Sequence, residues 1–192
     1  MATYYTADTH FSHYNILDFC SHRKKHVETI EEMDALIIEN WNKSVKPQDT
    51  VYHLGDVGVY TPERAKEVIQ QLNGKIHLIS GNHDRKQHLK VYAPYLESIE
   101  LVGMKLKYHK THLFLSHYGI DVPWRMFSIH GHIHEREYEN HNKINIGVDS
   151  PLTRHLPFGE PVSHDLLWMI IEDRKQQMEA IIEYNKQKRS RQ

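Results

Sequence analysis

Three imidazoles fall within five residues in the stretch Ile129-His130-Gly131-His132-Ile133-His134. His132 and His134 are two apart, and in an extended chain that spacing sends both side chains to the same side. Two neutral imidazoles directed at one point suit a transition metal of intermediate softness. His130 points the other way in such a chain, which places it behind the ligands. Asp8 and His10 form a second pair at the same spacing. Asp56 follows Gly55, Asn82 follows Gly81, and His117 follows the run His112 to Leu115.

Asp8, His10, Asp56, Asn82, His117, His132 and His134 are therefore the candidate metal ligands. Each comes after an apolar, strand-like run or a glycine at a strand end. Seven donors exceed what one ion needs and suit two ions close together. Two cations roughly 3.5–4 Å apart can bind a bridging hydroxide and clamp both oxygens of a phosphoryl displacement. A carboxylate has two oxygens and can bridge two cations, whereas an imidazole cannot, so the bridge falls to Asp56 or Asp8. Nitrogen and oxygen donors fit Mn, Fe, Zn or Ni, not Cu(I) or an iron–sulfur cluster.

The elements between these donors read as alternating strands and helices. Strands are expected at Thr3 to Ala7, Thr50 to Leu54, Lys75 to Ile79, Ile99 to Tyr108, His112 to Leu115, Met126 to Ile129 and Asn142 to Val148. Thr29-Ile30-Glu31-Glu32 has the form of a capping box, and Met33, Leu36, Ile37 and Trp41 recur at helical spacing. That predicts a helix from Ile30 to Ser44. Pro62 opens a second helix, Arg85 to Ala93 a short third, and Ser163 caps a long C-terminal one. Leu166, Leu167, Ile170, Ile171, Met178, Ile181 and Ile182 supply its expected core stripe. Ser21 to His26 reads as basic and exposed, and the tail from Lys186 to Gln192 as frayed or disordered. In open sheets with helices between strands, sites collect at the strand C-terminal ends.

Composition narrows the function classes. A chain of 192 residues with 39% hydrophobic content is enough for one well-formed core, and a single domain over 1–192 is expected. A net charge of -1 gives no general attraction to nucleic acid or to an anionic membrane. The longest apolar run, Leu166 to Ile171, is too short to span a bilayer. The N-terminus lacks the pattern of a signal peptide, and the one cysteine, Cys20, forms no intrachain disulfide, so a cytoplasmic protein is expected.

The motifs together carry a resemblance. Asp8-Thr9-His10, Gly55-Asp56, Gly81-Asn82-His83-Asp84, His117 and Gly131-His132-Ile133-His134 resemble, in order and approximate spacing, the D-x-H, G-D, G-N-H-[DE], H and G-H-x-H motifs of the calcineurin-like metallophosphoesterases. The resemblance implies an αββα sandwich of two mixed β-sheets flanked by helices, with a dinuclear metal site at the strand ends. It implies Asp8, His10 and His134 on one cation, Asn82, His117 and His132 on the other, and Asp56 as the bridge. His83 would contact the scissile phosphate and protonate the leaving group, with Asp84 orienting it. Asn82, His13, Asn15 and Arg23 are candidate substrate contacts.

Val57-Gly58-Val59-Tyr60 stands where the phosphoprotein phosphatases of this superfamily carry Asp-Arg-Gly, and Asp84 stands where they carry Glu, which argues against a protein phosphatase. The chain looks most like the small, cap-less bacterial and phage-type members. The expected activity is metal-dependent phosphodiester hydrolysis of a small phosphoester or a nucleotide. The alternatives are a monoesterase or nucleotidase, a nuclease acting on nucleic acid, and a metal-dependent binding protein.

Overall fold

The computed structural model describes residues 1–58 and 60–190. Four parallel strands form the first sheet: β1 (Thr3–Thr6), β2 (Thr50–His53), β3 (Lys75–Ile79) and β4 (Ser98–Glu100). A short antiparallel strand, β9 (Val162–Ser163), closes it in the order β4-β3-β2-β1-β9. The second sheet runs β5-β6-β7-β8, from β5 (Met104–Tyr108), β6 (Thr111–Leu115), β7 (Met126–His130) and β8 (Lys143–Asn145). Here β5 and β6 make an antiparallel hairpin while β6, β7 and β8 are parallel. Both sheets are mixed, as expected.

The first sheet is buried on both faces, which explains its β-branched and aromatic content. One face meets α2 (Ile30–Ser44) and α3 (Pro62–Ile69), where Met33, Ile37, Trp41, Val51, Val68 and Leu78 share a core. The other face turns Tyr5, Leu54 and Ile79 toward Leu113, Leu115, Phe127, Ile129 and Ile144 of the second sheet. A row of stacked rings, Tyr5–Tyr52 at 5.5 Å and Tyr52–His77 at 5.1 Å, crosses three strands on that face. The expected sandwich of two sheets flanked by helices is the one observed.

Local signals set the helix starts. Thr29 accepts from the Glu32 amide at 3.1 Å and the Glu32 carboxylate accepts from the Thr29 amide at 3.1 Å, so the capping box closes. Ser163 caps α5 (His164–Arg189) through the Leu166 amide. Two further helices are short, α1 (Ile16–Phe19) and α4 (Lys86–Tyr92).

Four expectations need correction. Ile99 to Tyr108 is not one strand: Leu101 and Val102 are exposed and the chain crosses there from the first sheet to the second. The strand expected over Asn142 to Val148 is only β8, because the Asn145 side chain captures the Gly147 amide and turns the backbone. Within α5, Leu167, Ile171 and Met178 are buried but Ile181 and Ile182 lie on its exposed last turns. Lys186 to Arg189 continue that helix, and Arg191 and Gln192 of the expected disordered tail lie outside the described residues.

Candidate metal centre

All seven predicted donors sit in loops just past strand C-termini. Asp8 and His10 follow β1, Asp56 follows β2, Asn82 follows β3, His117 follows β6, and His132 and His134 follow β7. The structure sorts them into two groups. Donor atoms of Asp8, His10 and His134 lie within 4.8 Å of one another, and so do those of Asp56, His117 and His132. Asn82 joins the second group, with its Oδ1 3.0 Å from His117 Nε2. Asp56 Oδ2 faces both groups, at 3.3 Å from His117 Nε2 and 3.7 Å from His10 Nε2.

The route to this arrangement differs from the expected one. His132 and His134 do not converge on one point from an extended chain. Strand β7 ends at His130, and the two histidines take left-handed backbone conformations that send them to different groups. Among the described residues, positive φ outside glycine occurs at seven positions, and five are donors: Asp8 (58°), His10 (51°), Asp56 (56°), His132 (71°) and His134 (50°). Such conformations cost on the order of 1–3 kcal/mol each and concentrate at functional sites. The loops fold back sharply, and two glycines let carboxylates in. A Cβ on Gly131 would stand 2.4 Å from Asp8 Oδ2, and one on Gly81 2.2 Å from Asp56 Oδ1.

Four of the donors are aimed by a second contact. The His132 amide donates to both Asp8 oxygens, at 3.0 and 2.9 Å. The His83 amide donates to Asp56 Oδ1 at 2.8 Å, which leaves Oδ2 for the two groups. His117 Nδ1–H donates to the Leu54 carbonyl at 2.8 Å, so a neutral ring presents the Nε2 lone pair inward. His134 Nδ1–H donates to Asp149 at 2.9 Å and likewise frees Nε2. This is the carboxylate–histidine arrangement that orients metal ligands.

The donor set fits divalent cations. His10 is 1% exposed and, among the described residues, neither ring nitrogen has a hydrogen-bond partner. A buried imidazole with two unsatisfied nitrogens is costly unless a cation takes one. The inward Nε2 of His117 faces two oxygens, those of Asn82 and Asp56, another arrangement that needs a cation or a proton in the middle. Burial pushes the Asp8 carboxyl up to about 6, against the pull of His134 and His117. Burial also opposes charge on Asp56, yet His117, His10 and the His83 amide hold it at about 2. Partial burial opposes charge on His134, yet Asp149, Cys20 and Asp8 push it up to about 10. The pocket thus demands positive charge beside its carboxylates, which a metal ion could supply in place of protons.

His83 is half-buried, with its ring 5.2 Å from that of His10. Asp84 does not orient it. Its carboxylate accepts the amides of Asp56 (2.8 Å), Val57 (3.0 Å) and Gly81 (2.8 Å), and so ties the loop after β2 to the loop after β3. Arg23 is not a substrate contact either, and Ser21 to His26 is not uniformly exposed. Arg23 is fully buried, pairs bidentately with Asp149 at 2.9 and 2.8 Å, and donates to the carbonyls of Thr9 (2.9 Å) and Asp8 (2.6 Å). Asn15 is exposed at the start of α1 and lies outside both donor groups. His13 is half-buried, with its ring 5.3 Å from His10 and 5.8 Å from His83.

His130 is buried behind the loop, bonded through Nδ1 to the Gly131 carbonyl. His53 is a packed strand histidine that joins the two sides. Thr9 Oγ1 donates to the Val57 carbonyl, so His53 Nε2–H donates to Thr9, and His53 Nδ1 accepts from the Gly55 amide. Burial lowers its pKa to about 3. Asp149 escaped the sequence reading because it belongs to no motif and lies 126 residues from Arg23.

Comparison with known proteins bears on the family and the fold. An uncharacterised protein, MJ1445, of Methanocaldococcus jannaschii is 32% identical over 179 residues, spanning 90% of this chain and 92% of the relative. The gene 66 protein of Mycobacterium phage L5 is 24% identical over 205 residues, with 88% and 93% covered. A crystal structure of the protein of unknown function AQ665 from Aquifex aeolicus shares the fold, with a TM-score of 0.68, 24% identity, and 88% of this chain and 99% of that chain covered. The family model for calcineurin-like phosphoesterases matches residues 1–179, from the first strand through the C-terminal helix as far as its last buried turn. The chain belongs to the calcineurin-like phosphoesterase family.

Proposed function

We propose that this protein is a phosphodiesterase that works with two divalent transition-metal ions, of the class Mn, Fe, Zn or Ni. Family membership implies metal-dependent hydrolysis of a phosphoester. The observation that carries the finer reading is the meeting of two donor groups at one Asp56 oxygen, with the His83 ring 5.2 Å from that of His10. Asp8, His10 and His134 would hold one ion and Asn82, His117 and His132 the other, with Asp56 between the two groups. When bound, the pair supplies Lewis acidity and lowers the pKa of water.

The chain's own groups do the rest. Asn82 is exposed, and its amide N–H binds a phosphoryl oxygen while its carbonyl oxygen faces His117. His83 donates its ring proton to the departing ester oxygen, so that an alcohol leaves and not an alkoxide. Asp84 keeps the loops of Asp56 and His83 in register. The substrate is a small phosphoester or a nucleotide. No described helix is long and apolar enough to cross a membrane. A single, buried, free cysteine supports placement in the reducing cytoplasm.

The test is hydrolysis of bis-p-nitrophenyl phosphate and p-nitrophenyl phosphate by metal-stripped protein, with Mn, Fe, Zn, Ni or Mg added back in turn. The reading expects metal-dependent diester turnover above monoester turnover. Monoester turnover alone would replace it with a monoesterase or nucleotidase. His83→Ala should cut turnover by about 10²–10⁴-fold with metal content unchanged.

A further inference from the structure

We infer that His13 is a second imidazole that binds the phosphoryl group of the substrate, and that Ser12, Asp34 and Arg64 form a clamp that presents it. The inference rests on the phosphoesterase reading above and assigns roles to four residues outside the metal ligands.

Ser12 takes a left-handed backbone conformation, φ 56°, next to the donor His10. Two helices hold it there. Asp34, on α2, is 2% exposed and accepts from the Ser12 amide at 2.8 Å and from the Ser12 hydroxyl at 2.7 Å. Arg64, on α3, completes the clamp with 3.0 Å to Asp34 and 3.3 Å to Ser12 Oγ. Every hydrogen bond of the Asp34 carboxylate goes to this turn or to Arg64. A charge buried on a helix face is costly and is retained only with such partners. Its placement is explained if the turn itself must not move.

The clamp fixes His13. The His13 amide donates to the His10 carbonyl at 3.2 Å, and its carbonyl accepts from Ile16 at 3.0 Å, so the backbone is fully committed. The ring is not committed. Its Nδ1 is shielded and has no partner. The ring stands edge-on to His83 at 5.8 Å and 83°, and to His10 at 5.3 Å and 67°. His10 and His83 are themselves edge-on at 5.2 Å. Three imidazoles therefore border one space. In the phosphoesterase reading His10 would face the metal ions and His83 the leaving oxygen, and His13 would close the third side, where an N–H can donate to a non-bridging phosphoryl oxygen.

The experiment uses the full chain loaded with Mn and reads inorganic phosphate binding by calorimetry, alongside KM and kcat for bis-p-nitrophenyl phosphate and the bound metal count. His13→Ala should weaken phosphate about ten-fold or more, the scale of one hydrogen bond to a charged group, and raise KM while two metals stay bound. His13→Gln, which keeps an N–H donor, should recover part of the phosphate affinity. Asp34→Asn, with His13 intact, should weaken phosphate in the same direction.

An active His13→Ala protein with wild-type phosphate affinity would overturn the inference alone. So would metal loss in step with phosphate loss, since His13 would then only prop His10. A wild-type protein that binds two metals but neither phosphate nor ester would overturn the phosphoesterase reading and this inference with it.

Discussion

The two donor groups rest on different foundations. Asp8, His10 and His134 are braced by charge. Arg23 and Asp149, both fully buried and far apart in sequence, form a bidentate pair whose remaining contacts reach the Asp8 and Thr9 carbonyls and the His134 ring. Asp56, His117, Asn82 and His132 are braced mainly by backbone. The Leu54 carbonyl turns His117, the His83 amide holds Asp56, and Asp84 collects three amides from two loops. Beside the His132 amide at Asp8, the first group therefore leans on one ion pair that cannot be half-removed. The second spreads its support over several hydrogen bonds, each of modest worth.

The charged brace is most exposed to change at Asp149. Asp149→Ala leaves the Arg23 guanidinium buried without its partner, and about 3–5 kcal/mol of stability should be lost. Metal analysis should fall from two ions to one, because the group around Asp56 keeps its own supports. A variant that melts like wild type and still holds two ions would show that the charged brace is dispensable.

Asp84→Asn tests the other foundation. It keeps one acceptor oxygen and removes the charge, so a loss of about 1–3 kcal/mol is expected, with both metals retained. Destabilisation equal to that of Asp149→Ala, or loss of the ion between Asp56 and His117, would erase the contrast.

The smallest effect sharpens the boundary between the groups. His53 links Thr9 on one side to Gly55 on the other. Its folded-state pKa, lowered to about 3, lies below the ordinary histidine value of 6.5. The unfolded chain then binds the extra proton between these values, so this stability is present above pH 6.5 and is lost as pH falls toward 3. From pH 6.5 to 5.5 the cost is about 1 kcal/mol. Denaturant melts of the wild type and of His53→Gln at the two pH values should differ by that amount, and parallel curves would remove His53 as the titrating link.

Much of this site is legible in the sequence, for reasons that can be named. Strand C-termini gather in a sheet with parallel strands, so a glycine or apolar run followed by Asp, Asn or His marks a position near the others. The capping box at Thr29 and the proline at position 62 place α2 and α3 because their signals are local. The supports are not legible. Asp149, Asp34 and Arg23 act through contacts with residues 126, 22 and 15 positions away, and a lone acid or arginine in a polar stretch reads like surface. Spacing also misled: His132 and His134 reach the site because their backbones leave the extended region, not because they share a strand face. Ile181 and Ile182 continue an apolar period past the point where α5 leaves the core.

We propose that these seven residues hold two divalent cations in two distinct sets joined at Asp56. Anomalous diffraction at the manganese edge from Mn-loaded crystals tests it most directly. Two peaks roughly 3.5–4 Å apart are expected. One should be bordered by Asp8, His10 and His134, the other by Asn82, His117 and His132, with the Asp56 carboxylate touching both. A single peak, or peaks that leave His10 or His117 unligated, would contradict it.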